Sequence, residues 1–561
     1  MSQSPLSRQL RRGARDLAGP LVLLGILGVF SAGATAQSVV HTFVGNTGGD
    51  KLGLGVSGCG DVDGDGVPDV AVGAVQDGIP ANGPGYVRLH SGRDGSLIRQ
   101  ISGNVTGDLF GASIDNAGDC NGDNIPDLIV GAPFAHVDGQ WKGYAQLHSG
   151  ADGSVLHTFV GDNNDDFFGT RVCGIGDVNN DGHDDIAAGA VQWLSNGTGY
   201  VKILSGFDGS LIHHISGSSP GDQFGYSVDG AGDMDGDMVG DVVVGAWWGT
   251  NTLLAQGMVG VYSGATGLPI HVFWGDNSQD HLGSRVAGVG DVDNDGVPDF
   301  AAGASGDDGN GDAAGAAKVF SGATGALIYE FLGESLGDQL GNAVTGAGDV
   351  NGDGHPDIGV GAIRAAYQGS QSGRAYVFSG LDGSILLRFD GAAVSDFLGG
   401  TLSGVGDVND DGKDDLIVGA TGSDLGGSSS GAAYVLSLSP WTSLGGGTAG
   451  LAGVPTLSAV GELTAGSTLS LDLVNAPPSA LMVGWLSLTS IPLNVLGGTL
   501  YANPKIVQIV RLANGAGAWS QSLPWPAGIV PGTDLFVQFL VQDISVPAQI
   551  TMSNAVAATT P

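Results

Sequence analysis

The chain has 561 residues, a formal charge of −38, 103 glycines and 42% hydrophobic residues. A polyanion of this kind repels nucleic acid and anionic lipid, so neither is an expected partner. The glycines recur periodically among apolar runs, which points to turn-dense β structure and not to disorder.

Residues 1–36 read as an export signal. Arg8, Arg11, Arg12 and Arg15 form a basic head, Leu21 to Phe30 an apolar core and Ala34-Thr35-Ala36 a cleavage site. The core is too short for an ordinary membrane span. The expectation is a secreted or cell-surface protein whose mature chain does not insert into a membrane. Its four Arg and one Asp carry +3, so the mature chain carries −38 − 3 = −41.

From residue 38 to 438 one unit repeats seven times. The loop GDVDGDGVPD (Gly60–Asp69) returns with its first Asp at 61, 119, 177, 233, 291, 349 and 407, spaced by 58 residues except for one interval of 56. Spacing this regular means one structural unit copied in series. Each loop offers oxygen at positions 1, 3, 5 and 9, and a backbone carbonyl at position 7. The candidate ligands are therefore Asp61, Asp63, Asp65, Val67 and Asp69, then Asp119, Asn121, Asp123, Ile125 and Asp127. The third and fourth loops supply Asp177, Asn179, Asp181, His183 and Asp185, and Asp233, Asp235, Asp237, Val239 and Asp241. The fifth supplies Asp291, Asp293, Asp295, Val297 and Asp299. The last two supply Asp349, Asn351, Asp353, His355 and Asp357, and Asp407, Asn409, Asp411, Lys413 and Asp415. An all-oxygen set of this size suits a hard cation such as calcium, up to seven ions in all.

Position 4 is Gly, Asn or Asp throughout, and position 6 is Gly in five loops, Asn124 in the second and Met238 in the fourth. These types tolerate a left-handed backbone, so Met238 makes the fourth loop the poorest fit. An EF-hand is excluded. It needs a Glu at position 12 between helices, where this chain has Val72, Val130, Ala188, Val244, Ala302, Val360 and Val418 inside short apolar runs. Without a metal the loop would be an Asp/Gly-rich turn, a costly way to crowd carboxylates.

The unit reads as four strands, as in LFGASIDNAG, DLIVGAP, GYAQLHSG and VLHTFVG of the second copy. Four short strands per copy in seven copies describe an all-β, seven-bladed propeller. The seventh copy stops after its third strand, and SVVHTFVG (Ser38–Gly45) nearly duplicates SVLHTFVG (Ser154–Gly161). The N-terminal strand is thus expected to complete the last blade and close the ring. Cys59, Cys120 and Cys173 sit at different repeat positions. They read as small semi-buried residues, with a Cys59–Cys120 or Cys120–Cys173 bridge left open.

The unit resembles the FG-GAP repeat of integrin α-subunit propellers. Phe110-Gly111 with Gly131-Ala132-Pro133 carries the motif, and Phe168-Gly169 and Phe224-Gly225 carry weaker versions. The resemblance implies calcium in the loops between strands one and two, on the lower face. It also implies adhesion or ligand binding at the opposite face. All seven copies here have a metal loop and no inserted domain interrupts them, so integrin-type recognition does not simply transfer.

Strand alternation puts the Asp loops and DGS turns at one end, and the strand two–three loops and blade connections at the other. Each connection carries an Asp, at 50, 108, 166, 222, 280, 338 and 396, which reads as a turn cap. The strand two–three loops vary. They carry Phe134, His136, Trp141, Trp193, Trp247, Trp248 and Tyr367. Trp141, Trp193, Trp247, Trp248 and Tyr367 are the candidate contacts for a protein or glycan ligand; the alternative is that they pack onto neighbouring loops.

Residues 439–453 read as a Gly-rich linker and 454–561 as a small β-sandwich-like domain. The function expected is an adhesion or ligand-binding module and not an enzyme. A lectin-like propeller is the alternative, and a polysaccharide lyase or hydrolase is less favoured.

Overall fold

Between residues 38 and 438, strand-forming runs of β-branched residues are cut at regular intervals by Gly and Asp turns, which favours short strands over helices. In the computed structural model the described residues are 38–77, 83–438 and a set of strands and short stretches between 441 and 559. The export-signal reading of 1–36 lies outside them. The described residues are all β, and none of their elements is a helix long and apolar enough to cross a membrane.

Seven four-stranded antiparallel sheets form the blades. Blade one runs Leu52–Gly60, Asp69–Ala74, Tyr86–His90 and Leu97–Ser102, hydrogen-bonded in that order. Blades two to six repeat it. In blade seven the fourth strand is Ser38–Val44, which pairs with Ala432–Ser437 from Ser38↔Ser437 to Val44↔Ala432. The N-terminal strand therefore closes the ring, and blade seven takes three strands from one end of the repeat region and one from the other.

The second strand is buried along its whole length in every blade. Both of its faces meet neighbouring blades, which is why DLIVGA and its relatives run apolar without alternation. The fourth strand lies at the rim and is mostly exposed or half-buried, as Leu97–Ser102 is, with Ile101 its one buried residue. The core is divided into seven inter-blade clusters; the one joining blades seven and one contains Phe43, Val70, Val405 and Ala433.

The glycines of the repeat motif have a steric cause. A Cβ on Gly131 of blade two would lie 2.1 Å from the carbonyl oxygen of Gly169 in blade three, and Gly169 itself sits at φ +86°. The same contact recurs around the ring and ends with Gly419 of blade seven against Gly53 of blade one, again at 2.1 Å. Backbone meets backbone at each blade interface, and only glycine fits.

Beyond the propeller, Thr456–Val460, Thr468–Val474 and Trp519–Pro524 form one sheet. Leu481–Ser487, Val507–Leu512, Asp534–Gln542 and Ile550–Thr559 belong to another. Leu457, Leu471 and Leu473 of the first join Met482, Val537, Phe539 and Val541 of the second in one buried cluster, the packing of a small sandwich. Trp441–Gly445, read from the sequence as linker, is an edge strand of the larger sheet and pairs with Ile550–Thr559. The alternation of Trp-Thr-Ser-Leu is short and abuts the glycines, so nothing local marked it as a strand.

Candidate functional site

Each Asp loop joins strands one and two and is held by its own carboxylates. The Asp at position 1 accepts the N–H of position 5 at 3.0–3.1 Å on one oxygen. Its other oxygen accepts the N–H of position 6 at 2.7–2.9 Å. The position 5 carboxylate then accepts from position 7 at 2.9–3.1 Å. So tight a curl needs left-handed residues at positions 4 and 6, and all fourteen have positive φ, Met238 included at +69°. The fourth loop keeps the shape of the others despite its methionine.

Position 9 is a clamp. Asp69, Asp127, Asp185, Asp241, Asp299, Asp357 and Asp415 are fully buried. One oxygen accepts the N–H of position 2 at 2.7–3.1 Å. In blades one to six the other accepts a glycine N–H from the turn between strands three and four, at 2.9–3.1 Å. Blade seven lacks that turn because its fourth strand comes from the N-terminus; there the Asn409 amide donates to Asp415 instead. Burial pushes Asp69, Asp127, Asp185, Asp241 and Asp299 up to about 6 and Asp357 to about 7. Nearby loop carboxylates add to this, as Asp63 does at Asp69.

The structure brings three carboxylates within 4.8 Å of one another in loops one (Asp61, Asp63, Asp69), four (Asp233, Asp235, Asp241) and five (Asp291, Asp293, Asp295). These are the loops with Asp at position 3. The others have Asn there, whose amide oxygen is a neutral donor; Asn121 and Asn351 each accept a position 5 N–H with it. Asp65 is engaged differently, by Arg93 Nε at 2.8 Å, and the same guanidinium reaches Asp410 of the neighbouring loop. The donor set is oxygen throughout, the chemistry of a hard divalent cation and not of a soft one.

Sequence reasoning missed two features. Asp184 and Asp414 at position 8 each accept the backbone N–H of the preceding blade's first loop Asp, at 2.7 and 2.8 Å, and so tie loop to loop. The five other copies all have Pro or Gly at that position, and this departure was the available signal. The second is a set of charged side chains in the axial channel, at strand-one positions that most copies fill with small residues.

At the opposite end the connection Asp residues cap turns: Asp50, Asp166, Asp280, Asp338 and Asp396 accept the N–H three residues back. The aromatic residues divide into three settings. Trp141 lies tilted against His136, ring centres 3.8 Å apart, across a small hairpin and neighbours Phe134 and Phe167. Trp193 meets Phe167 edge-on at 5.7 Å. Trp247 is half-buried between Tyr226 and His281 and donates its indole N–H to Gln223. Trp193 and Trp248 remain 48% and 40% exposed, and line one cleft with Asn196, Asp222, Gln223 and Thr250. Tyr367 stands apart, bonded to Glu334 with Arg374 over its ring at 3.3 Å.

A family model for the FG-GAP repeat matches residues 110–148, 168–204 and 399–436. The chain is 29% identical to integrin α-5 of Xenopus laevis over 228 residues, 37% of this chain and 21% of that one. It is 31% identical to integrin α-PS2 of Drosophila melanogaster over 210 residues, 34% and 15% of the two chains. Against integrin α-V of Gallus gallus it is 30% identical over 208 residues, 34% and 20%. This is an FG-GAP, integrin-α-like propeller. The matches span about a fifth or less of the length of these relatives. Within the FG-GAP unit, the FG glycine and the GAP glycine are the two that touch across a blade interface. Cys59, Cys120 and Cys173 of this propeller are buried free thiols, not bridged to one another.

Proposed function

We propose that this FG-GAP propeller is an exported adhesion module that holds calcium in its Asp loops and binds a protein ligand with its opposite face. The observation that carries the reading is the division of labour between the two ends. One end repeats the same carboxylate loop in every blade. The other varies from blade to blade and gathers exposed aromatic side chains over blades two to four, in the manner of an interface anchor. The loop oxygens of positions 1, 3, 5 and 9, with the position 7 carbonyl, would hold the ion, which supplies charge neutralisation to the crowded carboxylates. Binding suits the chain better than catalysis, because its Asp residues are committed to turn hydrogen bonds.

A lectin-like reading draws on the cleft between Trp193 and Trp248, where flat indoles stand beside Asn196, Asp222, Gln223 and Thr250, the mixture that a sugar ring uses. Binding of the mature protein to glycan and surface-protein panels, in calcium and in EDTA, separates the two. A saturable glycan signal abolished by Trp193→Ala would favour the lectin reading and displace protein adhesion. Folded, calcium-loaded protein that binds neither panel through this face would overturn both.

A further inference from the structure

Strand one of every blade lines the axial channel, and the residue six before each loop Asp faces it. Five copies place Gly55, Ser113, Ser227, Ala343 and Thr401 there; blades three and five place Arg171 and Arg285. Both guanidinium groups also line the channel's upper mouth, beside Leu54, Leu109, Pro133 and Phe134. Tyr226, from blade four between them, shares that mouth, with the Arg285 guanidinium 5.5 Å from its ring centre.

Among the described residues neither arginine belongs to an ion pair. Arg171 donates to the carbonyl of Thr170 and Arg285 to that of Ser284. The acidic residues of the channel are occupied elsewhere: Asp115 accepts from Ser57 and the Gly174 N–H, and Asp229 from the Gly288 N–H. Burial and the proximity of Arg285 lower the Arg171 pKa, while Tyr226 acts in the opposite direction. Both arginines are half-buried, and charges drawn out of bulk water are ordinarily paired. In a chain with 57 acidic and 19 basic residues, two unpaired guanidinium groups in one mouth call for a ligand.

We propose that Arg171, Arg285 and Tyr226 form a carboxylate-binding site at the upper mouth of the channel, which receives an Asp or Glu side chain of a protein partner. Guanidinium forks match a carboxylate with paired N–H donors, and the tyrosine hydroxyl adds a third direction. The apolar lining suits the methylene stem of such a side chain. A hydroxyl-rich sugar ring would leave its own donors unmet there. The inference rests on the reading of the upper face as the recognition face.

Calorimetric titration of the full chain with glutarate, in calcium, tests it. We expect saturable binding, weakened at least tenfold by Arg171→Gln and by Arg285→Gln and unaffected by Arg388→Gln, a rim arginine paired with Glu334. Because the two arginines have no acidic partner, each Arg→Gln variant should melt no lower than the parent, so lost binding is distinguishable from lost folding. Folded protein that ignores glutarate, or binding that survives both substitutions, would overturn the site. Galacturonate bound more tightly than glutarate would overturn its assignment to a protein side chain. If glutarate fails while panel binding through the aromatic residues persists, the carboxylate site falls and the adhesion reading stands.

Discussion

Replacing Met238 by glycine should stabilise the protein. Met238 holds φ +69° at position 6, where five sister loops have glycine at φ +81° to +92°. An L-residue in the left-handed region costs about 1–2 kcal/mol. The side chain is 89% exposed, so removing it forfeits almost no buried surface. Glycine loses about 0.5–1 kcal/mol through its freer unfolded state. The difference leaves a net gain of about 0.5–1 kcal/mol for Met238→Gly. Met238→Ala is the control: alanine keeps the backbone penalty and gives up only the exposed chain, so it should match the parent within a few tenths of a kcal/mol. Urea denaturation of the three proteins side by side, in calcium, reads the difference as a shift in midpoint at constant slope. A glycine variant no more stable than the parent, or an alanine variant equally stabilised, would refute the backbone argument.

Asp299→Ala should cost about 2–4 kcal/mol, since it orphans the N–H groups of Val292, Asp293 and Gly322; a loss below about 1 kcal/mol in urea would deny the clamp. Asp229 has its carboxyl pushed up to about 8 by burial, with help from Asp115. The folded chain therefore keeps a proton that the unfolded chain releases near pH 4, and the stability drawn from it is full below about pH 4 and lost as the pH rises to about 8. Asp229→Asn should accordingly melt with the parent below about pH 4 and above it at pH 9, as differential scanning fluorimetry would show. Chelation by EDTA should lower the melting temperature, because an ion bound to the native state adds about 2.7 kcal/mol per site at a hundred times its Kd; an unchanged melt would remove the metal assignment.

Most of the propeller was legible because its signals are local and repeated. The period of the Asp loops defines the unit, and Ser38–Gly45, written out of phase, already contains the ring closure. The left-handed positions were legible too, since Gly, Asn and Asp mark them in six loops and the sterics force the seventh. The axial residues were not. Arg171 and Tyr226 are adjacent in the chain-wise alignment of blades three and four, yet whether such a residue faces the axis or the next blade depends on the twist of strand one, which no local pattern reports. The aromatic loops were half legible. Composition marks Trp247 and Trp248 alike, but the bond from Trp247 to Gln223 turns one inward and leaves the other exposed. Trp441–Gly445 escaped because its partner strand, Ile550–Thr559, lies far along the chain.

The hydrogen bonds of the loops also define what a metal would contribute. In a small zinc domain the ion is needed to order the chain at all. Here the N–H groups of positions 5, 6 and 7 are already satisfied by loop carboxylates, and position 9 is fastened to the neighbouring turn. Most of the remaining structure is carried by the inter-blade clusters, which contain no loop carboxylate. What the loops lack is compensation for negative charge: in loops one, four and five, three carboxylates stand within 4.8 Å, and the position 9 acids are lifted by burial and by those neighbours. An ion's contribution would therefore be electrostatic and additive from blade to blade. Removing it should lower the melt while leaving the β-sheet circular dichroism at room temperature intact, and high salt should recover part of the loss at the exposed positions 3 and 5.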